Sequence, residues 1–231
     1  MHAGCVPASA GARIIREGGL VIFPTETVYG IGANALDPAS VARIFEVKKR
    51  PLIDPLIVHV AEMDQVEMLA DHIPDDARKL TDRLWPGPLT LVLAKQEVVP
   101  DLATAGLPTV AVRMPSHPMA RQIIAEAGCP VAAPSANMFG KTSPTKIEHI
   151  EPEMADAVDA MVDGGPCPVG VESTIISFCQ DRPTLLRPGG TPLEEIEHIV
   201  GDVTVVSKAT ETPQAPGMLE RHYAPETHLV L

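Results

Sequence analysis

Short apolar segments alternate along the chain with longer segments in which apolar residues recur at helical spacing. The short segments are four to six residues long and rich in Val, Ile and Leu, which is typical of buried strands. They are Leu20 to Phe23, Leu56 to Val60, Leu89 to Ala94, Thr109 to Val112, Pro130 to Ala133 and Thr174 to Phe178. Strands that alternate with helices predict an α/β fold.

The clearest helix signal begins at Asp37, a residue type that caps helices, with Pro38 at the first helical position. Apolar residues at helical spacing follow, and Lys48, Lys49 and Arg50 are expected in the last turn. Three further helices are predicted. They are Asp75 to Leu84, Pro118 to Ala127, and Pro192 to Val200, the last introduced by Thr191 and ended by Gly201.

The periodic pattern stops after Val206. Residues 207–217 are polar and rich in Pro, which is typical of a linker, and a tail from Met218 to Leu231 follows. We therefore predict a domain of residues 1–206 and a linker or lid of residues 207–231.

The composition is that of a globular protein. With 231 residues, 45 % of them apolar, the chain can bury a substantial core. The excess of 30 acidic over 18 basic residues gives a net charge of -12, which repels nucleic acid unless the cations are gathered in one place. Broad nucleic-acid binding is therefore not expected. The sequence offers neither an apolar stretch of the roughly 20 residues that a membrane helix needs nor a signal-peptide pattern, so we expect a cytoplasmic protein without a membrane partner.

Several known site patterns are incomplete in this chain. The four cysteines form no Cys-x-x-Cys pair, and the eight histidines lack metal-ligand spacing, so no metal site made by the protein is predicted. The glycines at residues 30–35 precede the helix signal at Asp37 instead of opening a helix, unlike a dinucleotide fingerprint. Gly140-Lys141-Thr142 lacks the first glycine of a phosphate loop, because position 135 is Ser.

Polar and cationic side chains collect at the predicted ends of strands and helices, next to Pro or Gly. Arg can hold a carboxylate or phosphate through two parallel bonds, Lys supplies a point charge, and hydroxyl or amide groups fix orientation. The set comprises Thr25, Thr27, Lys48, Arg50, His59, Arg113, Ser135, Asn137, Ser143, Ser173 and Arg187. By itself it predicts a site for a small anion, with a nucleotide as one candidate.

Six short motifs contain most of these residues. They are Pro24-Thr-Glu-Thr-Val-Tyr-Gly30, Lys48-Lys-Arg-Pro51 with Pro55-Leu-Ile-Val-His59, Trp85-Pro-Gly-Pro-Leu-Thr90, Val112-Arg-Met-Pro115, Pro134-Ser-Ala-Asn137, and Glu172-Ser-Thr174 with Arg187-Pro-Gly189. In this order they closely resemble the motifs of the threonylcarbamoyl-AMP synthase family, also called YrdC-like. The resemblance runs from about residue 10 to residue 225.

The resemblance implies a twisted, open, mixed sheet with flanking helices around a concave, positively charged pocket. It also implies a nucleotidyltransferase, L-threonylcarbamoyladenylate synthase, which makes threonylcarbamoyl-AMP and pyrophosphate from L-threonine, bicarbonate or CO₂, and ATP. Mg²⁺ would enter with ATP. The product would pass to a complex that forms N6-threonylcarbamoyladenosine on tRNA.

The resemblance also assigns roles to individual residues. Lys48 and Arg50 would be catalytic, and alanine at either position is expected to slow the reaction while shifting the melting temperature little. L-Threonine would be held by Thr27, His59, Arg113, Ala133 and Ser173. ATP would be held by Arg50, Asp54, Thr109, Ser135, Asn137, Ser143, Arg187 and Tyr223. Asp54 departs from the family, in which an amide is more frequent, so it could instead face the ribose or a metal.

The end of the chain, Ala215 to Met218 and Arg221 to Pro225, resembles the linker of longer family members, which carry a further C-terminal domain. Whether the chain is naturally short or truncated stays open. In this resemblance the linker folds back as a lid that brings Tyr223 to the nucleotide.

Alternatives also stay open. The chain could be a carbamoyl-adenylate-forming domain of a carbamoyltransferase, or an RNA-binding module with a local positive groove. Taken one at a time, Lys48 and Arg50 could complement a helix dipole, and His59 could be an ordinary core histidine.

Overall fold

The computed structural model describes residues 4–206 and 215–216. The helices in these ranges are α1 Ala8–Arg16, α2 Pro38–Lys48, α3 Met63–Leu69, α4 Asp75–Leu84, α5 Pro118–Ala127, α6 Pro152–Ala157 and α7 Leu193–Val200, with a 3₁₀ turn at Ile147–His149. The longest, α2, has 11 residues. None of the described helices has the length and apolar character required to cross a bilayer.

Within these ranges, ten strands form one mixed sheet. They are β1 Val21–Pro24, β2 Tyr29–Asn34, β3 Ile57–His59, β4 Leu89–Ala94, β5 Thr109–Arg113, β6 Val131–Ala132, β7 Ala160–Met161, β8 Thr174–Ser177, β9 Thr184–Arg187 and β10 Thr204–Val205. Their order across the sheet is β10-β9-β8-β4-β5-β3-β6-β2-β1-β7. The pairs β3/β5 and β4/β8 are parallel, whereas β4/β5 and β8/β9 are antiparallel. The predicted α/β fold with an open mixed sheet is confirmed.

Both faces of the sheet are covered. On β1, Ile22 belongs to the larger hydrophobic core, whereas its neighbours Val21 and Phe23 belong to a second core with α1 and α5. Successive side chains of a strand point to opposite faces, so both faces of β1 are buried. This explains why the strands appear in the sequence as continuous apolar runs.

Helix α2 begins as predicted but ends earlier. The Asp37 side chain accepts hydrogen bonds from the backbone N–H groups of Ala39 (3.1 Å) and Ser40 (3.3 Å). The helix ends at Lys48, and Lys49 takes the left-handed conformation with φ 52°. Arg50 therefore lies outside the helix, which corrects the prediction that it occupies the last turn.

The other predicted elements agree closely with the structure. Helices α4 and α5 have the predicted bounds, and the predicted strands agree to within two residues at each end. Helix α7 begins at Leu193 after Pro192, and Thr191 does not cap it. Instead, the Thr191 backbone N–H donates to Thr174 Oγ1 (3.0 Å), a contact that joins α7 to the start of β8.

Strand β2 is an element that the hydrophobic pattern did not predict. It contains Gly30 and Gly32, residues that are unfavourable in strands when judged alone. A Cβ atom on Gly32 would lie 2.4 Å from Cε1 of Phe23, so the neighbouring strand requires glycine there. The requirement comes from strand packing and is invisible in a local pattern.

A second close approach joins β9 to the beginning of β8. A Cβ atom on Gly189 would lie 2.4 Å from the carbonyl oxygen of Glu172 and 2.5 Å from the carbonyl carbon of Ser173. We predict that Gly189→Ala lowers the free energy of unfolding by about 1–3 kcal/mol, because backbone atoms cannot yield as a flexible side chain can. Chemical denaturation measures this loss.

The matched control is Gly4→Ala, since a Cβ atom there would meet nothing within 4 Å. We expect this control to unfold at the wild-type denaturant concentration. Equal midpoints for the two variants would show that the backbone around Glu172 adjusts freely.

Candidate functional site

A concave cavity lies where the ends of several strands meet. Its empty space, which includes part of the open solvent, amounts to about 530 Å³. The β1–β2 turn, the segment after α2, and the ends of β3, β5, β6 and β9 all contribute to its wall. The lining residues are Thr25, Thr27, Val28, Gly30, Arg50, Ile57, His59, Arg113, Ala133, Pro134, Ser135, Glu172, Ser173, Arg187 and Pro216.

The charge of this wall is positive although the protein is acidic. Among the described residues that line it, the charged side chains are those of Arg50, Arg113, Arg187 and Glu172. The arginines are buried, with exposed fractions of 4 to 8 %. A buried guanidinium keeps its charge, so such a cavity favours anions. The predicted concave, positive pocket is therefore present.

Arg113, at the end of β5, is held by contacts from two other segments. Its Nη1 donates to Thr27 Oγ1 (3.0 Å), and its Nε donates to the Gly87 carbonyl (3.3 Å). Its Nη2 lies 2.6 Å from Glu26 Oε1 in a buried ion pair. The guanidinium is thus fixed in the wall and presents a preset geometry to a ligand.

Arg187, at the end of β9, is fixed in a comparable way. Its Nε and Nη2 donate to the Ser173 carbonyl (3.1 and 3.0 Å), and Nη2 also reaches Ser173 Oγ (3.1 Å). The Ser173 hydroxyl in turn lies 2.7 Å from Thr90 Oγ1. Nη1 donates to the carbonyl of Pro216 (3.0 Å), so a described residue from the C-terminal segment reaches this cavity.

Arg50 forms an ion pair with Asp54, the residue whose role the sequence left open. Its Nη2 lies 2.8 Å from Asp54 Oδ2, and its Nε donates to the Asp54 carbonyl (3.1 Å). Nη2 also donates to the carbonyl of Pro55 (2.9 Å). Asp54 is fully buried and is not part of the cavity wall, so in this structure it holds Arg50 from behind. Its direct contact with ATP stays a prediction.

Lys48 lies beneath the cavity wall. Its Nζ donates to the backbone carbonyls of Ser135 (2.6 Å) and Asn137, and only 1 % of the residue is exposed. Burial, followed by the charge of Arg50, lowers the pKa of Lys48 well below its ordinary value. Lys48 therefore positions the segment that carries Ser135.

Asn137 stabilises the same segment. Its side-chain oxygen accepts a hydrogen bond from Ser135 Oγ (2.5 Å), and its Nδ2 donates to the carbonyls of Met138 and Lys141 (2.8 Å each). Ser135 lines the cavity, whereas Asn137 does not. Ser135 and Asn137, both predicted as nucleotide ligands, thus differ in position: Ser135 lies in the cavity wall and Asn137 lies behind it.

His59 lies in the wall beside Arg113, because the two residues pair in register on β3 and β5. Only 3 % of it is exposed. Burial, with a smaller contribution from the Arg113 charge, lowers the pKa of His59 to about 3. The imidazole is therefore neutral at physiological pH.

The structure brings most of the predicted site residues to one cavity. Those that line it are Thr27, Arg50, His59, Arg113, Ala133, Ser135, Ser173 and Arg187. Ser143 lies next to it, since its Oγ donates to Glu172 Oε1 (2.6 Å). Thr109 begins β5, whereas Arg113 ends that strand, and Thr109 is not part of the wall. Tyr223 lies outside the described residues.

Some residues of the site had no assigned role in the sequence. Glu26 and Glu172 lie next to predicted ligands within their motifs, and Thr90 ends another motif. The sequence signal for Glu26 and Glu172 was their position next to a predicted ligand. This signal does not reveal which side chain each glutamate contacts, because the contacting residues are distant in the chain.

Comparison with known proteins gives two family-model matches. The Sua5_yciO_yrdC model, described as "Telomere recombination", matches residues 13–189. A second model, described as "Threonylcarbamoyl-AMP synthase, C-terminal domain", matches residues 191–231.

Relatives from two organisms carry the same name. Threonylcarbamoyl-AMP synthase from Pyrococcus abyssi is 53 % identical over 224 residues, covering 95 % of this chain and 66 % of the relative. The Bacillus subtilis protein of that name is 49 % identical over 224 residues, covering 95 % and 65 %. The crystal structure of P. abyssi Sua5 complexed with L-threonine has a TM-score of 0.92 and 53 % identity, covering 94 % of this chain and 65 % of that one. The chain thus spans about two thirds of the length of these relatives.

The burial of Lys48 changes the expectation for its replacement. Lys48→Ala should lower the free energy of unfolding by about 2 kcal/mol, because the buried carbonyls of Ser135 and Asn137 lose a donor. The same reasoning applies to Arg50→Ala, which removes the guanidinium paired with Asp54. Both variants should therefore shift the melting temperature, contrary to the expectation from sequence.

Lys79→Ala is the control for this prediction, since Lys79 is exposed on α4 and pairs only with Asp76 among the described acidic side chains. Such a surface pair is worth roughly 0 to 1 kcal/mol. Calorimetry of the three variants measures the effect. A melting temperature for Lys48→Ala equal to that of Lys79→Ala would contradict the positioning role.

The lowered pKa of His59 predicts a pH-dependent stability. Its folded-state pKa of about 3 lies below the ordinary value of 6.5, so at intermediate pH the unfolded chain binds a proton that the folded chain does not. The contribution is complete above pH 6.5 and is lost as the pH falls. Between pH 7 and pH 5 the loss should be about 2 kcal/mol.

Urea unfolding of wild type and His59→Gln at these two pH values tests this. The variant should lose less stability on acidification than wild type. His72→Gln is the control, because His72 is exposed and its replacement should leave the pH dependence unchanged. Identical pH dependence in wild type and His59→Gln would show that His59 is protonated freely in the folded protein.

Proposed function

This chain belongs to the Sua5/YciO/YrdC family, as its motifs predicted, and from that premise we propose that it is a threonylcarbamoyl-AMP synthase. Its substrates are L-threonine, bicarbonate or CO₂, and ATP, and its products are threonylcarbamoyl-AMP and pyrophosphate. The observation that carries the proposal is the convergence of Arg50, Arg113 and Arg187 on a single cavity in an acidic protein. An amino acid carboxylate and a triphosphate are the anions that such a cavity suits.

L-Threonine binds at the Arg113 side of the cavity. Arg113 receives the carboxylate, and Thr27 fixes the guanidinium that does so. Neutral His59, Ser173 and the small side chain of Ala133 complete this side. The P. abyssi structure with L-threonine supports the choice of amino acid, because that protein is 53 % identical to this chain.

ATP binds toward Arg50 and Arg187. These two guanidiniums neutralise phosphate charge, and the hydroxyls of Ser135 and Ser143 orient the nucleotide. Lys48 and Asn137 act through the position of Ser135. Contacts from Asp54, Thr109 and Tyr223 remain predictions.

The chemistry needs positioning more than it needs a protein nucleophile. The amine of threonine combines with bicarbonate, with loss of water, to give a carbamate. A carbamate oxygen then attacks the α-phosphorus of ATP, and the bond to the bridging oxygen of pyrophosphate breaks. The arginines offset the charge that accumulates on the phosphoryl oxygens, and a closed cavity protects the mixed anhydride from water.

Mg²⁺ enters in this proposal with ATP, as the ion of the substrate. Mg²⁺ in such sites is held by substrate phosphates and one or two carboxylates, and it retains several waters. Glu172, the carboxylate in the cavity wall, is the residue that fits this role. Among the described residues no group of three or more His, Cys, Asp or Glu side chains is arranged to hold a metal.

The product would pass to a complex that transfers the threonylcarbamoyl group to tRNA. This partner and a cytoplasmic location belong to the proposal and rest on the family membership. The chain itself would bind tRNA weakly or not at all, since its net charge of -12 opposes a polyanion.

The test is pyrophosphate release by the chain as it stands. We expect release only when L-threonine, bicarbonate and MgATP are all present, and omission of any one should abolish it. Arg187→Ala is the variant expected to be impaired, because it removes one of the cavity guanidiniums, the one that donates to the carbonyls of Ser173 and Pro216. Loss of one charge-assisted contact to the phosphates should slow release by about 10²-fold or more.

Other outcomes distinguish the rival functions. Release that requires carbamoyl phosphate instead of threonine would identify a carbamoyl-adenylate-forming domain. Tight, strongly salt-dependent RNA binding without pyrophosphate release would identify an RNA-binding module.

A further inference from the structure

We infer that Glu26 is a positioning residue for substrate recognition: its carboxylate holds the Arg113 guanidinium in the orientation that receives the carboxylate of L-threonine. The inference rests on the proposed function and extends it to a residue that does not line the site. Arg113 and Thr27 form the cavity wall in this region, and Glu26 does not line it.

The ion pair between these two residues spans the wall of the cavity. Arg113 lines the candidate site, whereas Glu26 lines a separate cavity together with Gly87 and Val169. Glu26 Oε1 lies 2.6 Å from Arg113 Nη2, and the two side chains are 6 and 4 % exposed. Glu26 therefore supports Arg113 from behind and leaves the cavity side of the guanidinium available.

The hydrogens of Arg113 can be accounted for individually. A guanidinium has five N–H groups. Within the described part of the chain, Nε donates to Gly87, Nη1 uses one hydrogen for Thr27, and Nη2 faces Glu26. Nη1 and Nη2 each carry two hydrogens, so the guanidinium has more N–H groups than these contacts use. A carboxylate in the cavity can accept from such groups.

A single turn places both supporting residues. Thr25 Oγ1 accepts from the backbone N–H groups of Thr27 and Val28 (3.2 Å each), and it donates to the Val28 carbonyl (2.7 Å). The Glu26 carbonyl accepts from the backbone N–H of Val169 (2.9 Å). The turn is thus rigid at the point from which Glu26 and Thr27 reach the same guanidinium.

Electrostatics favours the same assignment. Burial lowers the pKa of Arg113, and the charge of Glu26 opposes that effect, so the carboxylate stabilises the protonated guanidinium in its buried place. A buried charge that loses its partner is strongly unfavourable and tends to reorient toward water. Removal of the Glu26 charge should therefore change the orientation of Arg113.

The closing experiment measures the dissociation constants of L-threonine, L-threoninamide and ATP by calorimetry. Glu26→Gln keeps the size of the side chain and removes its charge. We expect it to weaken L-threonine binding about 10-fold or more, because one charge-assisted contact is lost from the positioning of Arg113. ATP affinity should stay within about threefold, since Arg50 and Arg187 keep their contacts.

The amide analogue separates positioning from general damage. Wild type should prefer L-threonine to L-threoninamide, because only the acid pairs with Arg113. In Glu26→Gln this preference should fall about 10-fold. Glu26→Asp keeps the charge on a shorter side chain, so it should retain more of the preference for the acid than Glu26→Gln does. Asp54→Asn is the crossed control: it removes the carboxylate behind Arg50 and should weaken ATP binding while preserving the preference for the acid.

Each outcome decides the inference. An unchanged acid preference in Glu26→Gln, or an equal loss of threonine and ATP affinity, would overturn it. If neither Glu26 variant folds, Glu26 serves folding and the inference is wrong. If the wild-type protein binds no L-threonine, both the proposed function and the inference are wrong. If the wild-type protein binds L-threonine and Glu26→Gln binds it equally well, only the inference is wrong.

Discussion

Buried guanidinium charge is the constraint on which the rest of this structure depends. Arg50, Arg113 and Arg187 lie almost fully inside the protein around one cavity, and a buried charge is tolerated only when it is paired and hydrogen bonded. Asp54 and Glu26 pair with two of the arginines, and each of the three donates a hydrogen bond to at least one backbone carbonyl. The cavity can therefore be strongly anion-binding in a chain whose overall charge is negative.

The mixed sheet makes this arrangement possible. Strands β3, β5 and β9 are buried along nearly their whole length, and the polar side chains that end them lie next to the loops at the edge of the sheet. His59 and Arg113 end two paired parallel strands, and Arg187 ends a third strand farther across the sheet. Gly32 packs against the Phe23 ring and Gly189 against the backbone of Glu172 and Ser173, and neither position has room for a Cβ atom. The packing of the core therefore also fixes the positions of the loops that carry the site.

The residues of the site act in two layers. Arg113, Arg187, Ser135 and Ser173 line the cavity, whereas Lys48, Asn137, Asp54 and Glu26 support lining residues from behind. A support layer of this kind limits the motion of the groups that line the cavity, and a preset orientation of such groups favours binding and catalysis in general. It also explains why the motifs include residues that do not line the cavity.

The sequence by itself determined the α/β class, the start of α2, the bounds of α4 and α5, and most of the residues around the cavity. Those signals are local: capping side chains, helical periodicity, apolar runs and short motifs. Tertiary structure alone decided the glycine-containing strand β2, the burial of Lys48 and the pairing of Glu26 with Arg113. These depend on atoms that are far apart in the chain and meet only after folding, so no local pattern could encode them.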